Sequence, residues 1–119
     1  MPTRTWLTVL LLIAALSVPL VAAKREDAKA QVNFGIAVAK ANLWPAAVSH
    51  WQKAVKLDPT YAAAWNNLGI GYEQLGRFKE AREAYEEALK LDVNNTYIKT
   101  NYLQFREIYD RQNRRRGGG

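Results

Sequence analysis

The chain carries one pattern twice, end to end. Residues 28–61 align on residues 62–95 without a gap and share ten identities. They are Ala28/Ala62, Ala30/Ala64, Asn33/Asn67, Gly35/Gly69, Ile36/Ile70, Ala47/Ala81, Ala54/Ala88, Lys56/Lys90, Leu57/Leu91 and Asp58/Asp92. A unit this short cannot bury its apolar face alone, so copies must stack to build a continuous core. In the second copy Trp65, Leu68, Gly69 and Tyr72, then Ala81, Tyr85 and Ala88, fall at offsets that suit two amphipathic helices packed as a hairpin.

The same spacing predicts where the helices run. In the first copy a helix is expected from near Glu26 to Ala41, and a second from Trp44 to about Leu57 carrying Ala47, Val48, Trp51, Ala54 and Val55 on one side. Asn42 tolerates the left-handed backbone that ends helices, Pro45 sits in a first turn where its missing N–H costs nothing, and Asp58-Pro59 makes the next turn. The second copy repeats this grammar, with helices expected at Tyr61–Leu75 and Phe78–Leu91 and Gly76 in the place of Asn42. Gly35 and Gly69, facing Ala47 and Ala81, let the helices of each hairpin approach closely. Trp44, Trp51 and Trp65 each fall on an expected core side.

After Asn95 the stripe Ile98, Tyr102, Phe105 and Tyr109 predicts a fifth, capping helix over 96–111. Leu103 and Ile108 lie outside that stripe. Residues 112–119, which include Arg114-Arg115-Arg116 and three glycines, are expected to be a disordered basic tail.

Before the repeats, Arg4 and the amino terminus precede an uncharged run from Trp6 to Ala23, with Pro19 expected to break the helical pattern and Val21-Ala22-Ala23 offering small residues. This is the layout of a signal peptide cut before Lys24. The run also just reaches bilayer-spanning length, so the competing reading of residues 1–23 is a retained membrane anchor through 6–23. Either way the repeats are expected on the extracytoplasmic side, which is the periplasm in a bacterium.

The pattern Trp65-x-x-Leu68-Gly69-x-x-Tyr72 followed by Ala81, Tyr85 and Ala88 resembles the tetratricopeptide repeat. The first copy matches at Phe34, Gly35, Ala47, Trp51, Ala54 and Pro59, while Gln31 and Val38 stand where Trp65 and Tyr72 do and Val93 replaces a closing proline. The resemblance covers 28–95, and 96–111 is similar to the family's C-terminal solvating helix. It implies a right-handed α-solenoid of two helix-turn-helix repeats with a fifth capping helix, whose first helices line a concave groove that binds a protein or peptide partner. The groove positions it implies are Lys29, Val32, Ile36, Ala39, Lys40, Ala63, Asn66, Ile70, Glu73 and Gln74. The chaperone-binding subgroup grips a terminal carboxylate with lysine and asparagine; here Val32 and Ile36 hold those places, which suits an apolar-to-mixed segment instead.

Composition speaks against catalysis. The chain has one histidine, no cysteine and no glycine-rich phosphate loop, so neither a catalytic nor a metal nor a cofactor site is expected. His50 has no acid beside it in the helical pattern. The net charge of +6 is uneven: residues 28–61 are basic, 62–95 acidic and the C-terminus basic again. There is thus no continuous basic face, and nucleic acid is not the expected partner. The expected roles are an interaction scaffold or adaptor, or a small structural subunit of a membrane-associated complex held by its N-terminal helix. Two repeats fall short of the three or so that usually close a core, which predicts stabilisation by a partner or by self-association.

Overall fold

The structure, a computed structural model, describes the backbone of residues 3–118 and the side chains of residues 19–118. The described residues form five helices and no strand: α1 (Thr3–Lys40), α2 (Trp44–Leu57), α3 (Ala62–Gln74), α4 (Phe78–Leu91) and α5 (Thr96–Gly117). α1 pairs with α2 and α3 with α4 as hairpins, α2 packs on α3, and α4 packs on α5. The result is an all-α solenoid of helical repeats.

The two hairpins turn by the same device, at equivalent positions of the two copies. Asn42 and Gly76 both take positive φ, 62° and 72°. In each turn the second residue past the helix donates back to the carbonyl of the helix's penultimate residue (Asn42 N–H to Ala39 O at 2.8 Å, Gly76 N–H to Glu73 O at 3.0 Å). The next residue reaches one carbonyl further (Leu43 N–H to Val38 O at 3.0 Å, Arg77 N–H to Tyr72 O at 2.8 Å). These paired bonds satisfy the carbonyls a helix end leaves open.

Close helix approach follows from the glycines. A Cβ built on Gly35 would lie 2.2 Å from Trp51 Nε1, and one on Gly69 would lie 2.7 Å from Tyr85 Cδ1. Trp51 and Tyr85 are 2% and 1% exposed and centre the two hairpin cores. The Trp51 indole N–H also donates to Val32 O at 3.1 Å. Of the other tryptophans, Trp44 and Trp65 are half-buried against the core and tie turns, donating to Asn42 Oδ1 at 2.7 Å and to Pro59 O at 2.8 Å.

Two expectations are corrected. α1 starts far ahead of Glu26 and runs through Pro19 without ending. A lone proline removes one helical bond at a cost of roughly 3 kcal/mol, and the strong helix formers on either side, Leu16 and Ala22 to Arg25 among them, carry the helix past it. α5 continues to Gly117 rather than giving way to a disordered tail at 112. Asn95 caps its start by accepting the Ile98 N–H at 3.1 Å, Glu107 pairs with Arg111 one turn on, and Arg114–Arg116 lie where the helix dipole favours cations. The signal-peptide and anchor readings rest on the side chains of residues 1–18 and lie outside the described ones. Among the described residues no helix is long and apolar enough to cross a membrane.

Asp58 is the one buried charged residue among those described, 8% exposed. Its carboxylate accepts from Thr60 Oγ1 at 2.6 Å and Thr60 N at 3.0 Å, and it pairs with Arg25 of α1, which also lies over the Tyr61 ring at 4.8 Å. Burial pushes its pKa up, but the Thr60 and Arg25 hydrogen bonds outweigh burial and hold it below the ordinary 3.8. A carboxylate with a depressed folded pKa contributes stability above its unfolded pKa and loses it as pH falls through the folded value. Asp58→Asn is therefore expected to cost roughly 1–2 kcal/mol at pH 7, a modest figure because Arg25 is partly exposed and solvent screens the pair. Thermal melts should show the variant and wild-type curves converging as pH falls below about 4; a gap that stays constant down to pH 2 would remove the carboxylate charge from the account.

Candidate functional site

Helices α1, α3 and α5 are the first helices of successive units, and two hollows open between them. One is about 280 Å³ and is apolar; Ile36, Ala39 and Lys40 of α1 and Ile70 of α3 form its walls, with Trp44, Trp51 and Asn67 completing it. The other is about 350 Å³ and mixed in character; Ala63, Asn66 and Asn67 of α3 meet Arg25, Tyr61, Asn95 and Tyr97 there. Asn67 borders both, so the two hollows adjoin as one interrupted groove.

The ten positions expected at the groove divide accordingly. Ile36, Ala39, Lys40 and Ile70 come together in the apolar hollow, and Ala63 and Asn66 in the mixed one. Asn66 is 2% exposed, with its carboxamide oxygen accepting from Asn101 Nδ2 of α5 at 3.1 Å. Lys29, Val32, Glu73 and Gln74 line neither hollow. Val32 is 4% exposed and belongs to the core, its carbonyl held by Trp51, so its expected place on the groove is corrected. Glu73 accepts from the Tyr85 hydroxyl at 2.9 Å. Burial, together with the Glu73 charge and hydrogen bond, pushes that phenol above its ordinary pKa, so the tyrosine stays a donor and holds Glu73 in place. Lys29 is exposed and paired with Glu26 at 2.9 Å, and Gln74 is exposed at the end of α3.

Asn67, Trp44, Arg25, Asn95 and Tyr97 also line the hollows, although their spacing does not mark them as groove residues. One signal was available: Asn33, Asn67 and Asn101 recur at the repeat period, and the third brings α5 into register with α1 and α3. Arg25 and Tyr97 lie outside the paired copies, where no internal match marks them. His50 is occupied elsewhere, with Nδ1 2.8 Å from Gln31 Oε1 and the ring stacked on Phe34 at 5.9 Å. Among the described residues no group of histidines and carboxylates could hold a metal ion.

Comparison with known proteins agrees with this geometry. A family model described as tetratricopeptide repeat matches residues 62–95, and a second, described as TPR repeat, matches 35–76. The chloroplast tetratricopeptide repeat domain-containing protein PYG7 of Arabidopsis thaliana is 38% identical over 62 residues, which are 52% of this chain and 21% of that protein. An uncharacterised protein of Methanocaldococcus jannaschii is 36% identical over 55 residues, 46% of this chain and 64% of its own length. The chain thus spans only part of the curated relatives it matches. Among solved structures, the Arabidopsis OM64 TPR domain superposes with a TM-score of 0.69 at 24% identity, covering 74% of this chain and 73% of that one. The first TPR domain of Spaghetti (RPAP3), bound to the HSP90 peptide SRMEEVD, gives 0.67 at 23% identity and covers 71% and 68%. At these identities the likeness speaks for the fold alone. Residues 35–95 are tetratricopeptide repeats, and the solenoid of helical hairpins built on them has that family's fold.

Proposed function

We propose that this chain is a non-catalytic interaction scaffold that holds an extended segment of a partner protein in the groove formed by α1, α3 and α5. The observation that carries the reading is the apolar hollow, where Ile36 and Ile70 stand half-buried beside Trp51 and open to solvent among the described residues. Apolar walls beside a mixed stretch bordered by Asn67 suit a segment that places an apolar side chain in one hollow and main-chain polar groups in the other. Tetratricopeptide domains of similar fold include one bound to a peptide, which supports the partner class. Ile36, at one of the positions where the resemblance puts a carboxylate clamp, is apolar and offers no hydrogen-bond donor to a terminal carboxylate, and Val32 at the other is buried in the core. The same proposal puts the repeats on the extracytoplasmic side, an expectation resting on residues 6–23.

A second reading, a small structural subunit of a membrane-associated complex, is favoured by α1. The apolar N-terminal run joins the first repeat with no break in the helix, and an intact Met1 in membrane fractions would support it. A cleaved N-terminus would favour the free adaptor.

The groove is tested by the double substitution Ile36→Glu with Ile70→Glu. Both side chains are partly buried against the core, so the variant is expected to melt below wild type, and circular dichroism must first show that it is folded at the assay temperature. Each buried anchor of this kind contributes on the order of 1–2 kcal/mol to an interface, so partner recovery in a crosslinking pull-down should fall on the order of 100-fold. Unchanged recovery by a folded variant counts against the groove.

A further inference from the structure

We propose that the chain pairs with a second copy of itself through the outer face of α1, antiparallel about a two-fold axis near Asn33. Among the described residues every first helix but one is covered on the same face. Gly71 of α3 stands against α2, where a Cβ would meet Val48 at 2.6 Å. Phe105 of α5, one repeat on, packs on Tyr85 of α4 at 5.5 Å. The equivalent residue of α1, one repeat earlier, is Ala37. It is exposed and lines a shallow apolar depression with Ala30, Asn33 and Phe34, and Phe34 is 59% exposed. The face built to receive a helix is bare.

Charge identifies the occupant. Along one edge of this face lie Glu26, Asn33 and Lys40, evenly spaced at the heptad interval and so on one side of the helix. All three are exposed; Lys40 makes no ion pair among the described residues, and Glu26 holds only the exposed Lys29. Antiparallel pairing sets each Glu26 against Lys40 of the other copy, sets Asn33 against Asn33 at the axis, and brings the two Phe34 rings together between Ala30 and Ala37. Parallel pairing sets like charge on like. A head-to-tail stack needs a free second-type helix at the far end, and α5 already covers α4 there. A closed two-fold pair covers the bare face of both copies at once and places opposite charges together at both ends. The patch is small, so the dimer is weak, of micromolar order.

The test is sedimentation of the full chain, in mild detergent where needed. Wild type is expected to dimerise, and Glu26→Lys and Lys40→Glu should each weaken the dimer about tenfold or more. An equimolar mixture of the two variants should regain wild-type association, because only the mixed pair places opposite charges together at both ends. The chain has no native cysteine, so Asn33→Cys should form a disulfide dimer readily while Gln104→Cys on α5 does not. A monomeric wild type, a mixture that stays monomeric, or association that survives Phe34→Glu through some other segment would each overturn the proposal. So would a different protein captured at Asn33→Cys in place of a second copy.

Discussion

Trp51→Ala is expected to leave the chain largely unfolded at 37 °C. The side chain is 2% exposed and joins three helices at once. It lies in α2, its ring closes against Gly35 of α1 and Gly71 of α3, and its indole N–H holds the Val32 carbonyl at 3.1 Å. Truncating a buried tryptophan costs roughly 3–5 kcal/mol through lost burial and the cavity left behind. The Val32 carbonyl lies inside α1 and keeps its helical N–H partner, so loss of the indole hydrogen bond adds only about 0.5–1.5 kcal/mol. A domain of this size has a total stability of only about 5–15 kcal/mol, and a two-hairpin core lies toward the low end, so little remains. Far-UV circular dichroism should show the loss of helix, and urea unfolding a midpoint near zero. Trp51→Phe keeps most of the ring and loses the hydrogen bond, so it should remain folded with a reduced midpoint. A Trp51→Ala protein melting close to wild type would mean that the inter-helix contacts around this ring contribute little.

The hairpin helices were legible because their signals are local. Phe78, Ala81, Tyr85 and Ala88 recur at helical spacing against charged neighbours, and they locate α4 without reference to the rest of the chain. Asn42 and Gly76 were readable as helix ends because few residues accept positive φ. The groove was only half legible, since a side chain's place there depends on what the next helix brings. Val32 has the right position but is claimed by Trp51, 19 residues away, and Glu73 is claimed by Tyr85, 12 residues away. Arg25 and Tyr97 reach the groove only because α1 and α5 extend beyond the paired copies. The two ends of the chain mislead for one reason. A proline and a run of arginines and glycines look like breaks, yet helix propensity on both sides of Pro19 and a capped, dipole-matched α5 outweigh them.

Gly69→Leu is expected to unfold the second hairpin and α5 with it. A Cβ at this position would stand 2.7 Å from both Cδ1 and Cε1 of Tyr85 and 2.9 Å from Cγ, well inside contact distance. The ring has no room to withdraw. Phe105 packs on it at 5.5 Å and Tyr102 at 6.0 Å, while its hydroxyl donates to Glu73 at 2.9 Å. Gly→Ala in an open helix would gain about 1 kcal/mol from backbone entropy, but overpacking a filled core costs about 1–3 kcal/mol for added methylenes that can shift their neighbours. Leucine adds three further carbons against a ring held on several sides, so the cost here should lie at or above that range. Separating α3 from α4 also removes the Tyr85 surface that Phe105 of α5 packs on. Hydrogen exchange should therefore report lost protection across α3, α4 and α5 together, with Gly69→Ala giving a milder, partly offset loss. A Gly69→Leu chain that unfolds cooperatively near the wild-type temperature would show that Tyr85 can leave its seat, and the close approach at Gly69 would then not be what holds the hairpin.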